Sequence, residues 1–213
     1  MIVNSEISLQ RLTMKNIRLL ILAVSLSIAL SSTASCEPNV QKDEIESVIV
    51  DILRLASQDD IKAINAKYVN KEFGIFDIYR IGAQDDFEIL DALPLKGKDW
   101  PHMPYGDIFN VENNRKKMRE EYVEFDCGDF VFLKSGTFYS KELRYPLISS
   151  IVTFHTKYDA QTYDNALLKK IEFLESNSIR VVDTSSDFIF YITKIDDRWY
   201  ITIIDRVTTD CSA

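Results

Sequence analysis

Residues 188–207 read FIFYITKIDDRWYITIIDRV. Phe188, Phe190 and Ile192 alternate with Ile189, Tyr191 and Thr193, and Trp199, Ile201 and Ile203 alternate with Tyr200, Thr202 and Ile204. A period of two in β-branched and aromatic residues is the pattern of strands, because successive side chains point to opposite faces of a sheet. Asp196 and Asp197 stand between the two runs as turn residues. Phe188–Lys194 and Arg198–Val207 are therefore expected to form a hairpin. Both sets of side chains are apolar, so both faces are expected to be at least partly covered.

Working outward, Arg180 to Asp183 reads as a short strand ahead of the hairpin. Leu147, Ile148, Ile151, Val152 and Phe154, after Pro146, mark a core-facing helix. Leu167, Leu168, Ile171 and Leu174 mark another, with Asp164 near its cap. Tyr122–Phe125, Phe130–Leu133 and Thr137–Ser140 read as strands, with Ser135-Gly136 as the turn before the last. Val111–Glu121 is highly charged and reads as a short exposed helix. Phe73–Ile81 is rich in β formers, lacks a helical period and stops at Gly82, while Phe87–Leu90 gives a fainter strand signal. Closer to the N-terminus, Ile45, Val48, Ile49, Ile52, Leu53 and Ala56 form one apolar helical stripe, with Asp43 and Glu44 in or near its first turn. Asp59 or Asp60 caps a second helix whose inner face is Ile61, Ile64 and Tyr68. Two helices, several strands, two helices and three strands do not alternate as a parallel α/β fold would. The expected class is α+β: an antiparallel sheet with N-terminal helices, a further helical pair packed on it and a C-terminal β-hairpin.

The first 36 residues carry a different signal. From Met14, Lys15 and Arg18 supply positive charge, Leu19 to Leu30 form a 12-residue apolar core, and small residues lead to Cys36. That is the three-part layout of a secretory leader, and its core is shorter than the ~20 residues that span a bilayer. Residues 1–35 are expected to be a signal peptide, with Met14 as an alternative start. Residues 36–41 are expected to be a tether, and 42–213 a single α+β globular domain. The part after residue 35 holds 22 basic and 32 acidic residues. Such an acidic balance disfavours a phosphate-backbone partner, so no nucleic acid is expected to bind.

Three cysteines are present. If Cys36 is modified, Cys127 and Cys211 remain as an even pair, and export would let them form a disulfide. Two unrelated buried thiols are the other reading. Leu93–Gly106 holds three of the five prolines and two of the six glycines, and reads as a loop. Trp100, His102 and Tyr105 in that loop are candidate ligand-stacking residues, or else aromatics folded back on the sheet. His155 lies among core residues of a helix and reads as structural. There is no phosphate-binding glycine loop, no zinc helix motif and no calcium-loop spacing at Asp85-Asp86 or Asp196-Asp197, so no cofactor and no metal are expected.

Thr33-Ala34-Ser35-Cys36 resembles a lipobox, with Thr33 where Leu, Val or Ile is usual, and the chain as a whole resembles exported bacterial lipoproteins. That resemblance implies lipid on Cys36 and a membrane as partner, on the periplasmic or the surface face. Cleavage after Ala34 or Ser35, leaving Cys36 a thiol, is the alternative. The closing Ile195–Asp205 run resembles the last hairpin of NTF2-like α+β domains, a fold that hosts enzymes and binding modules alike. The expectation is a lipid-anchored envelope protein acting as a non-enzymatic binding or accessory module for a protein, peptide or glycan. The alternative is a small-molecule or glycan-acting enzyme with an NTF2-like pocket.

Overall fold

In the computed structural model, residues 38–94 and 118–212 are described. The C-terminal hairpin anchors the architecture. With strands numbered along the chain, β8 (Phe188–Ile195) and β9 (Arg198–Asp205) pair antiparallel. Asp196 and Asp197 have φ of 47° and 61°. Two consecutive left-handed residues are what a tight two-residue hairpin turn requires, and Asp tolerates that region better than most side chains do.

One feature of this hairpin departs from simple alternation. Tyr191 pairs with Ile203 but Ile192 pairs with Ile201, so Thr202 is an extra residue on β9. Such a bulge moves every later side chain to the other face. Trp199 and Ile201 therefore share one face with Ile204, while Ile203 joins the opposite face. The expected grouping of Trp199, Ile201 and Ile203 fails at this point. Thr202 is retained inside the sheet by hydrogen bonding to Thr193, Oγ1 to Oγ1 at 2.6 Å.

The sheet has seven strands in the order β2-β1-β9-β8-β7-β6-β3, and a separate two-stranded sheet holds β4 and β5. Here β1 is Ile75–Ile81, β2 Gln84–Leu90, β3 Arg119–Glu120 and β4 Phe125–Asp126. The remaining strands are β5 (Val131–Phe132), β6 (Thr137–Ser140) and β7 (Ser178–Asp183). Most neighbours are antiparallel, whereas β1 with β9 and β3 with β6 run parallel. The fold is α+β.

Helices cover both faces of the sheet. On one, α1 (Pro38–Ser57) and α2 (Ile61–Tyr68) place Ile49, Ile52, Ile61 and Ile64 against Val181, Phe190, Ile192, Ile201 and Ile204. Asp60 caps α2 by accepting from the Ala63 amide at 3.0 Å. On the other, α3 (Ile148–Tyr158) and α4 (Asn165–Asn177) place Ile151, Ile171 and Leu174 against Phe76, Phe138, Ile189 and Ile203. Asp164 caps α4 through the Leu167 amide at 2.7 Å. Each such isoleucine or leucine, fully buried, contributes ~1.5–3 kcal/mol of transfer free energy. Asp43–Ala213 forms one compact unit.

Several boundaries differ from the sequence reading. Pro38–Gln41, expected within a tether, begin α1, where the fixed φ of proline suits a first turn. The expected exposed helix over 111–121 lies mostly outside the described residues, but its end is strand. Arg119 there donates to the Ser135 carbonyl at 2.5 Å and stacks 4.2 Å above the Phe138 ring, so tertiary contacts override local charge patterning. Tyr122–Glu124 do not extend a strand either, because β4 begins only at Phe125. No helix among the described residues is long and apolar enough to cross a membrane.

Candidate functional site

Cys127 follows β4, and Cys211 lies in the tail after β9. Their sulfurs are joined as a disulfide, with Cα atoms 5.5 Å apart across a separation of 84 residues. The bond brings the β4–β5 hairpin against the tail. Beside it opens a cleft of about 480 Å³ whose lining includes Arg80, Tyr122, Glu124, Arg144, Tyr145 and Thr208. The hairpin next to it carries exposed Phe130, Val131 and Leu133.

One wall of the cleft is a cross-chain polar cluster. Arg80 and Asp85 face each other across the β1–β2 pair, and Arg80 Nε donates to Asp85 at 2.7 Å. Arg80 Nη1 donates to the Asp210 carbonyl at 2.5 Å, and Nη2 to the Tyr145 hydroxyl at 2.6 Å. The Tyr145 hydroxyl in turn donates to Asp85. Burial of that hydroxyl, then the Asp85 carboxylate beside it, push Tyr145 up to about 12. Tyr145 is thus a neutral donor at physiological pH. The guanidinium is spent on holding β1, β2, the segment before α3 and the tail together.

The other wall centres on Tyr122. The Arg144 guanidinium lies 4.3 Å from its ring centroid, and that of Arg180 lies 4.8 Å from it. Arg144 is exposed and paired with Glu124 at 2.5 Å and Glu142 at 2.8 Å. Arg180 is only 2 % exposed. Its Nη1 reaches the Val123 carbonyl at 3.3 Å, while its Nε and Nη2 are buried without a hydrogen-bond partner among the described residues. The Tyr191 hydroxyl, also buried, makes no hydrogen bond of good geometry, but the Arg180 guanidinium stands beside it as a donor and Asp205 and Tyr122 are within electrostatic reach. Burial, followed by the Asp205 charge, pushes Tyr191 far above the usual phenol range, so it too stays a donor.

A second open cleft, also about 480 Å³, lies where α1, α2 and β9 meet and is lined by Asp51, Lys67, Tyr68, Arg198 and Trp199. Asp51 accepts from Arg54 at 2.5 Å, Lys67 at 2.7 Å and Tyr68 at 2.6 Å. Burial pulls the Asp51 carboxyl upward, but these three donors outweigh it and hold it well below the usual carboxylate range.

Of the residues singled out by sequence, Cys127 and Cys211 are brought together. Cys36, Trp100, His102 and Tyr105 lie outside the described residues. His155 is buried, and its Nδ1 is 2.6 Å from the Tyr163 hydroxyl. No group of three or more His, Cys, Asp or Glu residues suited to a metal is present among the described residues. Sequence reasoning missed Arg80, Tyr122, Arg144, Tyr145 and Arg180. Arg180 alone carried a usable signal: a cation inside the apolar strand Ser-Ile-Arg-Val-Val, whose two faces both pack against helices.

The chain matches no protein-family model, no curated protein and no solved structure. What it does must therefore be argued from its own residues.

Proposed function

We propose that this is an exported, lipid-anchored envelope protein that acts as a non-enzymatic binding module. The observation carrying this reading is the cleft held beside the Cys127–Cys211 disulfide. Disulfides persist in oxidising compartments, so the bond supports the export suggested by the leader. The cleft suits recognition because rigid elements position its aromatic and charged side chains. Arg80 ties four segments of chain into one wall, and Tyr122, Tyr145 and Arg144 line the opening. A tether at Cys36 would hold that cleft close to a membrane, where lipid chains each bury methylenes at ~0.8 kcal/mol apiece.

The test is fractionation of cells expressing the full chain and its Cys36→Ala variant. The wild type is expected in the membrane fraction and the variant in a soluble exported fraction. Equal partitioning of the two, or retention in the cytoplasm with Cys127 and Cys211 reduced, would overturn the proposal.

A further inference from the structure

The Cys127–Cys211 bond is not shielded by the fold it fastens. Cys127 is exposed and Cys211 half-buried, and both line the open cleft of about 480 Å³. A buried disulfide is out of reach of an attacking thiolate, whereas exposed bonds are the labile ones.

Beside this bond stands apolar surface that the fold does not use. Phe130 is 68 % exposed, the most of any large hydrophobic side chain among the described residues, and Val131 and Leu133 are 50 % and 59 % exposed. The packing of the hairpin rests on a different pair. Phe125 and Phe132 face each other across its strands with ring centroids 5.0 Å apart, and Phe132 packs against the core. Phe130 has a φ of 56°, a region that disfavours a bulky side chain, so folding alone gives no reason for phenylalanine there. Glu124 and Asp129 are exposed around the patch, and Asp126 is half-buried. Arg144, the exposed cation of the cleft, is already neutralised by Glu124 and Glu142. Exposed apolar patches with a polar rim mark protein contacts, and an acidic rim suits a partner face that is neutral or basic at its edge.

We infer that Cys127 is a site of thiol–disulfide exchange and that Phe130, Val131 and Leu133 seat its partner, a dithiol protein with an apolar face around the reactive thiol. The partner's thiolate attacks Cys127 Sγ. The Cys127–Cys211 bond breaks as the mixed disulfide forms, and Cys211 leaves as a thiolate that takes a proton from water. The partner's second thiol, once deprotonated, attacks the mixed disulfide and releases Cys127 as a thiolate. The partner ends as a disulfide, oxidised by two electrons, and this protein ends with two thiols. Exchange also frees the tail whose Asp210 carbonyl holds Arg80, so it loosens one wall of the cleft. The inference goes beyond the binding reading and does not need the lipid anchor.

The experiment follows alkylation at Cys127 and Cys211 as the oxidised full chain is reduced. With dithiothreitol the rate is expected to rise in proportion to its concentration and to stay nearly flat in low urea. A bond reached only through global unfolding would instead reduce about fivefold faster, or more, per molar urea. Two lysine-bearing peptides with the same Cys-Xaa-Xaa-Cys centre and net charge, one flanked by leucines and one by serines, then probe the patch. The leucine peptide should reduce the wild type about tenfold faster. Phe130→Asn/Leu133→Ser, which changes only exposed side chains, should abolish that advantage and leave the dithiothreitol rate unchanged. A rate that climbs steeply with urea would overturn the exchange site. Equal rates for the two peptides, or an advantage that survives in the variant, would overturn the docking surface. None of these outcomes touches the fractionation result, so the exchange site and the anchored binding module fail separately.

Discussion

Removing the disulfide by a Cys127→Ala/Cys211→Ala double substitution should cost this protein much of its margin. The bond closes a loop spanning 84 residues. Loop-entropy arithmetic credits such a cross-link with ~4–5 kcal/mol at 25 °C, by restricting the unfolded chain. For a domain of this size each kcal/mol moves Tm by roughly 2–4 °C, so the loss corresponds to roughly 8–20 °C. A native-state effect adds to this. The tail held by Cys211 delivers the Asp210 carbonyl to Arg80, and a loosened tail leaves that guanidinium short of one acceptor. The assay is far-UV circular dichroism melting of wild type, oxidised and reduced, beside the double variant. The reduced wild type and the variant should melt together, well below the oxidised protein. A fall of under 2 °C in both would refute the reasoning, since it would mean that the link restrains nothing the fold depends on.

Asp77 is fully buried and Arg206 nearly so, so Asp77→Asn or Arg206→Met alone should cost ~3–5 kcal/mol in urea denaturation; the double variant should recover most of that loss, and additive single costs would contradict the pairing. Asp51 has a lowered folded pKa, so its stabilising contribution is present above its unfolded value near 3.8 and is lost as pH falls below that value toward the depressed one. With exposed Lys67 and Arg54 as partners the contribution is ~1 kcal/mol. Asp51→Asn should therefore be less stable than wild type by that amount at pH 6, and the gap should close in acid; a gap that is constant with pH would argue against it. Asp197→Gly, at a φ of 61° in the β8–β9 turn, should raise stability by ~0.5 kcal/mol, and a loss in the same denaturation assay would count against the turn geometry.

The elements that were readable in the sequence are those whose partners are chemically forced. Ile45, Ile49, Ile52 and Ala56 could only form one helical stripe, and all are buried. Phe188, Phe190 and Ile192 could only share a strand face, and they do. Asp164 precedes its helix as a cap because no apolar residue there could accept the amide of Leu167. The Thr202 bulge was not readable, since an inserted residue in an apolar strand leaves the composition of both faces unchanged. The cleft was hidden for a different reason. Arg80 and Asp85 are hairpin neighbours, but the Tyr145 hydroxyl and the Asp210 carbonyl reach Arg80 across separations of 65 and 130 residues. No local pattern encodes such a meeting. The disulfide was legible by counting cysteines, although neither flanking sequence announces it.

Export and anchoring of a disulfide-held domain are tested most directly by the intact mass of the native protein. It would be extracted from its own membranes and measured with and without reduction and alkylation. A chain beginning at lipid-modified Cys36, whose mass gains two alkyl groups only after reduction, is the expected result. An unmodified chain that alkylates at Cys127 and Cys211 without reduction would contradict both the anchor and the bond that supports the case for export.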